Sequence, residues 1–439
     1  MSSADIRPRF HVAPGGHIGG ELTVPGDKSI SHRALMLGGI AAGRTDISGF
    51  LAGADCLSTL RALEALGVRI ERPAPERVVV HGAGAAALRG SGTPLDMGNA
   101  GTAMRLFMGL LAPQPFDSVL VGDESLMRRP MERVAAPLRQ MGARIETREG
   151  RPPVHIRGTP ALHGIDVRLP VASAQVKSAL LLAGLGANGH TRITEPAPTR
   201  DHTERMLGAF GATVEREGLT VSLEGGQALH GASVRVPADF SSAAFFIVAG
   251  LLAAEHGLLL RNVGVNPTRT GLLEMLRRMG ADIRLQPHTQ AAVEPTADIE
   301  VRKSRLSGIH VPRELVPLSI DEFPIFFIAA ALAEGETTVR GAEELRVKES
   351  DRLAVMAEGL TALGVENHLL DDGLWIRGGG GFGGGRIDSH GDHRIAMAFA
   401  IAGLAAREPI EILDVANVAT SFPGFLELAR SAGLSIEAR

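Results

Sequence analysis

The chain of 439 residues has no tyrosine, one tryptophan and one cysteine. The single thiol, Cys56, cannot close an internal disulfide, and so few thiols fit a reducing compartment. Scarce aromatics and a formal charge of −4 leave little base-stacking capacity and no overall basic field, which excludes nucleic acid as the default partner. Long apolar runs are also missing. The stretches near 243–254 and 395–406 end well short of the ~20 residues that a membrane span needs, so they read as buried helices. The opening MSSADIRPRFHVAPGG mixes acid and base without an apolar segment and is not a signal peptide. These absences predict a cytoplasmic protein without a membrane partner. No HExxH, cysteine cluster or acidic triad occurs, so neither a metal nor an organic cofactor is expected. The run GGGGFGGG (378–385) lacks the Lys-Ser/Thr of a phosphate loop and reads as a flexible hairpin.

Glycine, by contrast, is plentiful: 54 residues imply many tight turns. One phrase recurs, an apolar residue, Gly and a small or apolar residue at the end of a helical stretch. It reads LEALGVRI, LRQMGARI, LGAFGATV, LRRMGADI, LTALGVEN and ARSAGLSI, with its glycines at 67, 142, 211, 280, 364 and 433. Each glycine stands where a helix end needs a left-handed residue before a strand begins. Upstream of each lies a second helix, apolar on nearly every face: HRALMLGGIAA, GTAMRLFMGLLA, AQVKSALLLAGL, SSAAFFIVAGLLAA, EFPIFFIAAALA and HRIAMAFAIAGLAA. Polar residues gather at the N-terminal ends of these helices. Six such units predict an α/β fold made by repetition, and a chain this long predicts two domains. Helix N-termini brought to one place would favour phosphate and carboxylate ligands.

Eight segments then carry a resemblance. VPGDKSISHRALML (24–37), GNAGTAMRL (98–106), MRRPMERV (127–134), VASAQVKSALLLAGL (171–185), PTRDHTERML (198–207), RVKESDRL (346–353), GDHRIAMAF (391–399) and ATSFPGF (419–425) resemble the signatures of the EPSP synthase family, in its order. The resemblance implies two domains, each of three βαβαββ-type units around buried helices, an inside-out α/β barrel with pseudo-threefold symmetry. It places one domain at 1–25 plus 238–439 and the other at 26–237, with hinge crossovers near 25 and 238 and the active site in the interdomain cleft. The implied reaction joins phosphoenolpyruvate to the 5-hydroxyl of shikimate-3-phosphate and releases phosphate. A monomer is expected, with glyphosate as inhibitor.

Residue by residue, the resemblance implies that Lys28 touches both substrates. Ser29 and Arg33, one helical turn apart, clamp the shikimate carboxylate. Ser173, Ala174 through its backbone N–H, Gln175 and Arg200 cradle the shikimate phosphate and hydroxyls, together with Lys348. Asn99, Gly101 and Thr102 form a turn against the phosphoenolpyruvate phosphate, which Arg129, Lys28 and Gln175 also hold; Arg352 and Arg394 take its carboxylate. Asp321 resembles the acceptor of the hydroxyl proton, and Glu349 the group that serves C3 of phosphoenolpyruvate. Asp321 as a simple cap of the fifth apolar helix is the alternative, and His393 reads as the cap of the sixth. The two substrates together bring a charge of about −5 to −6, and the motifs set Lys28, Arg33, Arg129, Arg200, Lys348, Arg352 and Arg394, offset by Asp321 and Glu349, against it. One position departs from the pattern. Many members carry Lys where this chain has Thr420; either another cation substitutes, with Arg430 and Arg439 on offer, or the lid is weaker. A sister transferase acting on UDP-N-acetylglucosamine uses a loop cysteine that GDESLMRRPMERV lacks. An RNA-end-processing enzyme on a related fold is disfavoured by the poor stacking capacity. A catalytically dead binding protein is disfavoured by the presence of Lys28, Asp321 and Glu349.

Overall fold

The computed structural model describes residues 7–289 and 293–439; the opening MSSADI lies outside them. The chain divides into two compact units. An inner unit comprises Gly26–Val236 with Ala291–Glu294, and a terminal unit comprises Met1–Pro25, Pro237–Gln290 and Pro295–Arg439.

The helices of the inner unit are α1 (Lys28–Ile40), α2 (Ala54–Ala65), α3 (Gly101–Leu111), α4 (Glu132–Gln140), α5 (Ala174–Leu185) and α6 (His202–Ala209). Helices α1, α3 and α5 are the apolar ones, and they are buried almost throughout. Helix α3 packs on α5 so closely that a Cβ on Gly109 would fall 2.0 Å from the Ala179 carbonyl oxygen, which is why glycine stands there. Three sheets surround these helices among the described residues.

In the terminal unit the helices are α7 (Phe240–Ala253), α8 (Gly271–Arg278), α9 (Phe323–Leu332), α10 (Arg352–Ala362), α11 (His393–Ala402), α12 (Val418–Ser421) and α13 (Phe425–Ala432). Here α7, α9 and α11 are buried and mutually packed, again with three sheets.

Among the described residues all six sheets obey one rule. Leu95–Asp96 runs parallel to Ser118–Val121, which pairs antiparallel with Arg151–Arg157, which pairs antiparallel with Arg144–Arg148. The sheet of Asp166–Arg168, His190–Thr194, Thr220–Glu224 and Glu215–Glu217 repeats the order. Elsewhere a strand arrives from far along the chain: Ser233–Arg235 joins Ala42–Ser48, Gly20–Leu22 joins Leu258–Gly264, and Arg9–Gly16 lies between Ile410–Leu413 and Leu434–Ala438. The sheet around Gly373–Gly378 has three strands, and isolated bridges Ser307–Glu334 and His310–Thr338 stand in for the fourth.

The repeated glycines have φ between 81° and 110°. Five helix ends close with the same backbone bond, from the residue after the glycine to a leucine five positions back. These are Val68 to Leu63 (3.0 Å), Ala143 to Leu138 (3.1 Å), Ala212 to Leu207 (2.9 Å), Ala281 to Leu276 (3.0 Å) and Val365 to Leu360 (2.9 Å). The recurring phrase is therefore a helix-terminating motif in which the left-handed glycine turns the chain and the two apolar residues meet beneath it. The sixth copy ends on Gly433 itself.

Two local expectations are corrected. The GGGGFGGG run is not a hairpin. It leads from Gly373–Gly378 to Gly385–Asp388, which belong to different sheets, and Phe382 within it is fully buried. His393 does not cap α11; Asp392 does, accepting from the Arg394 backbone N–H at 2.9 Å, because a carboxylate at that place can reach back to the helix start and an imidazole one residue on cannot.

Candidate active site

The expected residues of the inner unit form two groups. In the first, Arg129 donates to Asn99 Oδ1 at 2.5 Å, and Asn99 Nδ2 donates to Asp123 Oδ2 at 2.7 Å. Gly101 opens α3 beneath them, where a Cβ would lie 3.1 Å from Arg129 Nη1 and 3.4 Å from Arg105 Nη1. Arg105 Nη1 donates to Gln175 Oε1 at 2.6 Å, and Gln175 Nε2 donates to Thr102 Oγ1 at 2.9 Å. The turn, Arg129 and Gln175 are thus brought to one place at the start of α3. Arg105 completes the group. It stands inside the GNAGTAMRL segment, and its spacing from Gly101 was the available signal.

In the second group, Arg33 is almost fully buried on α1. Its Nε donates to Thr203 Oγ1 (2.7 Å), Nη1 to the Ser29 carbonyl (3.0 Å) and Nη2 to Ser178 Oγ (2.8 Å). Every acceptor is neutral, and burial draws the guanidinium down to about 10, with the Glu204 charge opposing. Lys28 begins α1 after Asp27, whose side chain accepts from the Ile30 N–H at 2.8 Å. Its ammonium pairs with Asp55, a buried carboxylate at the start of α2, and Cys56 packs fully buried under the Lys28 carbonyl. Ser173 caps α5, its Oγ accepting from the Val176 N–H at 3.4 Å. Ala174 is the first residue of that helix, where no intrahelical acceptor serves the backbone N–H. Arg200 follows Thr199, whose carbonyl receives the Lys177 ammonium at 3.5 Å.

In the terminal unit one guanidinium gathers the acidic candidates. Arg352, 1% exposed at its side chain, reaches Asp392 Oδ2 with Nε (2.8 Å), Asp321 Oδ1 with Nη1 (3.4 Å) and Glu349 Oε2 with Nη2 (2.6 Å). Burial disfavours its charge, but the three carboxylates outweigh that and hold its pKa above the ordinary range. Burial pushes the Asp392 carboxyl up, and the Arg352 charge reverses this, so it stays below its usual range. Lys348 Nζ lies 3.5 Å from Asp321 Oδ1, and Arg394 Nη1 donates to the Asp321 carbonyl at 3.0 Å. Asp321 does not cap α9, whose cap position is Glu322. The sequence reading assigned no role to Asp392 or to a buried group in which Arg269 Nη2 meets Ser241 Oγ (2.6 Å) and Asp239 Oδ1 (3.2 Å) beside Glu322. Thr420 donates to the Asn417 carbonyl at 2.7 Å; of its suggested substitutes, Arg430 binds the Ile436 carbonyl at 2.7 Å and Arg439 pairs with Glu437 at 3.3 Å.

The seven cations are therefore not a bare positive cluster. Lys28, Lys348 and Arg352 each face a carboxylate, because a buried or half-buried charge is costly without a partner. Among the described residues no group of three His, Cys, Asp or Glu could hold a metal ion, and no helix is long and apolar enough to cross a membrane.

The family model described as EPSP synthase (3-phosphoshikimate 1-carboxyvinyltransferase) matches residues 12–428. The chain belongs to the EPSP synthase family. It is 60% identical to the 3-phosphoshikimate 1-carboxyvinyltransferase of Alkalilimnicola ehrlichii over 97% of this chain and 96% of the relative. The enzyme of the same name from Halorhodospira halophila is also 60% identical, over 98% and 97% of the two chains. The solved structure of EPSP synthase from Acinetobacter baumannii superposes with a TM-score of 0.88 at 52% identity, covering 98% of this chain and all of that one. Within an EPSP synthase, the group around Arg129 offers cations at a helix start, suited to a phosphate. The group around Arg352 offers two carboxylates in different surroundings, suited to proton transfer.

Proposed function

We propose that Lys28, Asp321 and Glu349 carry the chemistry of the EPSP synthase reaction in this chain. The reaction transfers the enolpyruvyl group of phosphoenolpyruvate to the 5-hydroxyl of shikimate-3-phosphate, giving 5-enolpyruvylshikimate-3-phosphate and phosphate, as part of aromatic amino-acid biosynthesis. Asp321 takes the hydroxyl proton as the oxygen attacks C2 of phosphoenolpyruvate, and Glu349 delivers a proton to C3. The tetrahedral intermediate then expels phosphate, C3 returning its proton. Lys28 and Arg129 hold the phosphate that departs, with Asn99, the Gly101 turn and Gln175. Arg352 and Arg394 bind the phosphoenolpyruvate carboxylate. Ser29 and Arg33 bind the shikimate carboxylate, and Ser173, Ala174, Gln175, Arg200 and Lys348 bind the phosphate and hydroxyls of that ring.

The observation that carries this assignment is the contact of one buried guanidinium with both Asp321 and Glu349. Both carboxylates share this one cation, and a substrate carboxylate that competes for the same donors changes the surroundings of both. The same reading takes each unit as an inside-out domain of three repeats, with the chain crossing near 25 and 238 and the domains closing on the substrates. It also takes the protein as a cytoplasmic monomer inhibited by glyphosate. Phosphate release measured with both substrates, and with each alone, tests it. Release that requires both supports the assignment; no release with both present, or equal release with UDP-N-acetylglucosamine in place of shikimate-3-phosphate, overturns it.

A further inference from the structure

Arg33 is a buried cation with no carboxylate within ion-pair distance among the described residues; three neutral oxygens hold it. Immediately beside two of those oxygens runs a second buried network that the proposed chemistry does not use. Ser178 follows Lys177 on α5, and Thr203 precedes Glu204 on α6. The side chain of Lys177 is fully buried, and its ammonium lies 2.8 Å from Glu195 Oε2 and 2.8 Å from Glu204 Oε1. Glu195 also accepts from the Thr199 hydroxyl, and Thr203 Oγ1 donates to Ser178 Oγ at 2.7 Å.

The charges do not balance within this network alone. One lysine faces two glutamates, leaving one negative charge in a dry interior, which is costly unless something nearby cancels it. The excess belongs to Glu204. Glu195 receives directed hydrogen bonds from Lys177 and Thr199, whereas neither Glu204 oxygen has a hydrogen-bond partner of good geometry among the described residues, despite its nearness to Lys177. The positive charge that cancels it is Arg33, one residue away on each side through Ser178 and Thr203. Glu204 is also the strongest of the carboxylates that favour the charged form of Arg33, ahead of Asp27 and Glu294.

We propose that Lys177 and Glu204 are positioning residues that set the net charge around Arg33, and through it the affinity of this chain for the carboxylate of shikimate-3-phosphate. Lys177, Glu195, Glu204 and Arg33 sum to zero, so Arg33 is held hydrogen-bonded in the second turn of α1, while its attraction for an incoming anion is moderated by the glutamate behind it. The inference rests on the reading that Arg33 binds that carboxylate.

Two substitutions change the sum in opposite directions. Glu204→Gln leaves the cluster one charge more positive, so the KM for shikimate-3-phosphate is expected to fall by about tenfold, as for one charge acting across ~12 Å at an effective dielectric constant of ~20. Lys177→Gln leaves it one charge more negative, and the same constant should rise by about tenfold. The KM for phosphoenolpyruvate should change less in both, because only Lys28 and Gln175 of its groups stand on the same helices, α1 and α5, as this network. A merely structural role would lower the melting temperature of both variants and move both constants the same way or not at all. That outcome, with Arg33→Gln still raising the shikimate-3-phosphate KM, overturns the charge-balancing role and leaves the Arg33 assignment standing. An Arg33→Gln variant with unchanged KM overturns the assignment itself. If Lys177→Gln does not fold, Glu204→Gln and Glu195→Gln against the native protein decide: a fall in the constant supports the proposal, and no change or a rise overturns it.

Discussion

The Nη2 of Arg352 stands 2.6 Å from Glu349 Oε2, while Nη1 of the same guanidinium reaches Asp321 at 3.4 Å. Removing one carboxylate from this pair leaves the other with its cation intact, so binding and turnover should separate. Asp321→Asn is expected to bind shikimate-3-phosphate within a few-fold of the native protein while turnover drops by about 10²–10⁴. Calorimetric affinity beside the phosphate-release rate checks this; near-native turnover would remove Asp321 as the base.

Asp392 is the partner of Arg352 that does no proposed chemistry. It is completely buried, caps α11 and accepts from Ser350 as well. Its carboxyl is held below the usual range in the folded state, so its contribution to stability is present above the unfolded pKa and is lost as pH falls through the folded one. Asp392→Asn should cost about 3–5 kcal/mol, since a buried guanidinium loses one of its counter-charges. Denaturant unfolding at pH 7 and below pH ~4 should show that gap narrowing in acid.

His32 has the opposite chemistry but the same sign. Burial, aided by the charges of Lys28 and Arg33, keeps the ring well below 6.5, hence neutral in the folded protein. The unfolded chain takes up a proton that the native one refuses, so stability falls as pH drops below 6.5. His32→Gln should flatten that limb by up to about 1.4 kcal/mol per pH unit. Unfolding midpoints from pH 7.5 to 5 for both proteins give the slopes to compare, and equal slopes would contradict the assignment.

Gly101 carries the prediction about inhibition. On the proposed reading glyphosate, slightly longer than phosphoenolpyruvate, takes the same site, so a methyl there should meet it first. The structure adds that the methyl also lies 3.1 Å from Arg129 Nη1, closer than comfortable contact. Gly101→Ala should therefore weaken both ligands, glyphosate more, by about 5- to 150-fold for a clash of about 1–3 kcal/mol. The inhibition constant and the phosphoenolpyruvate KM of both proteins settle the comparison, and equal losses would place Gly101 away from the ligand.

Much of the architecture was legible because it repeats. Each copy of the phrase ending in Gly67, Gly142, Gly211, Gly280, Gly364 or Gly433 carries its own backbone instruction, a left-handed turn, and that needs no distant partner. The all-round apolar helices were legible for the same reason. What escaped depends on meetings between positions far apart. Ser233–Arg235 is three residues long and shows no periodicity, so nothing local announces that it completes a sheet with Ala42–Ser48. Arg105, Lys177, Glu204 and Asp392 all stand in the recognised segments, and Asp55 outside them, yet which charge neutralises which is decided by burial and proximity. The count of seven cations overlooked those partners.

The strands that arrive from a distance also order events in time. During synthesis at about 5–20 residues per second, Arg9–Gly16 and Gly20–Leu22 emerge first, yet their neighbours at Leu258–Gly264, Ile410–Leu413 and Leu434–Ala438 appear only tens of seconds later. Until then the earliest strands have no partner strand of their own sheet to pair with. The sheets of the inner unit need nothing made after Ser233–Arg235, but Glu294, which meets the buried His202 at 2.6 Å, reaches that unit later. The first strands made are thus among the last to meet their neighbours.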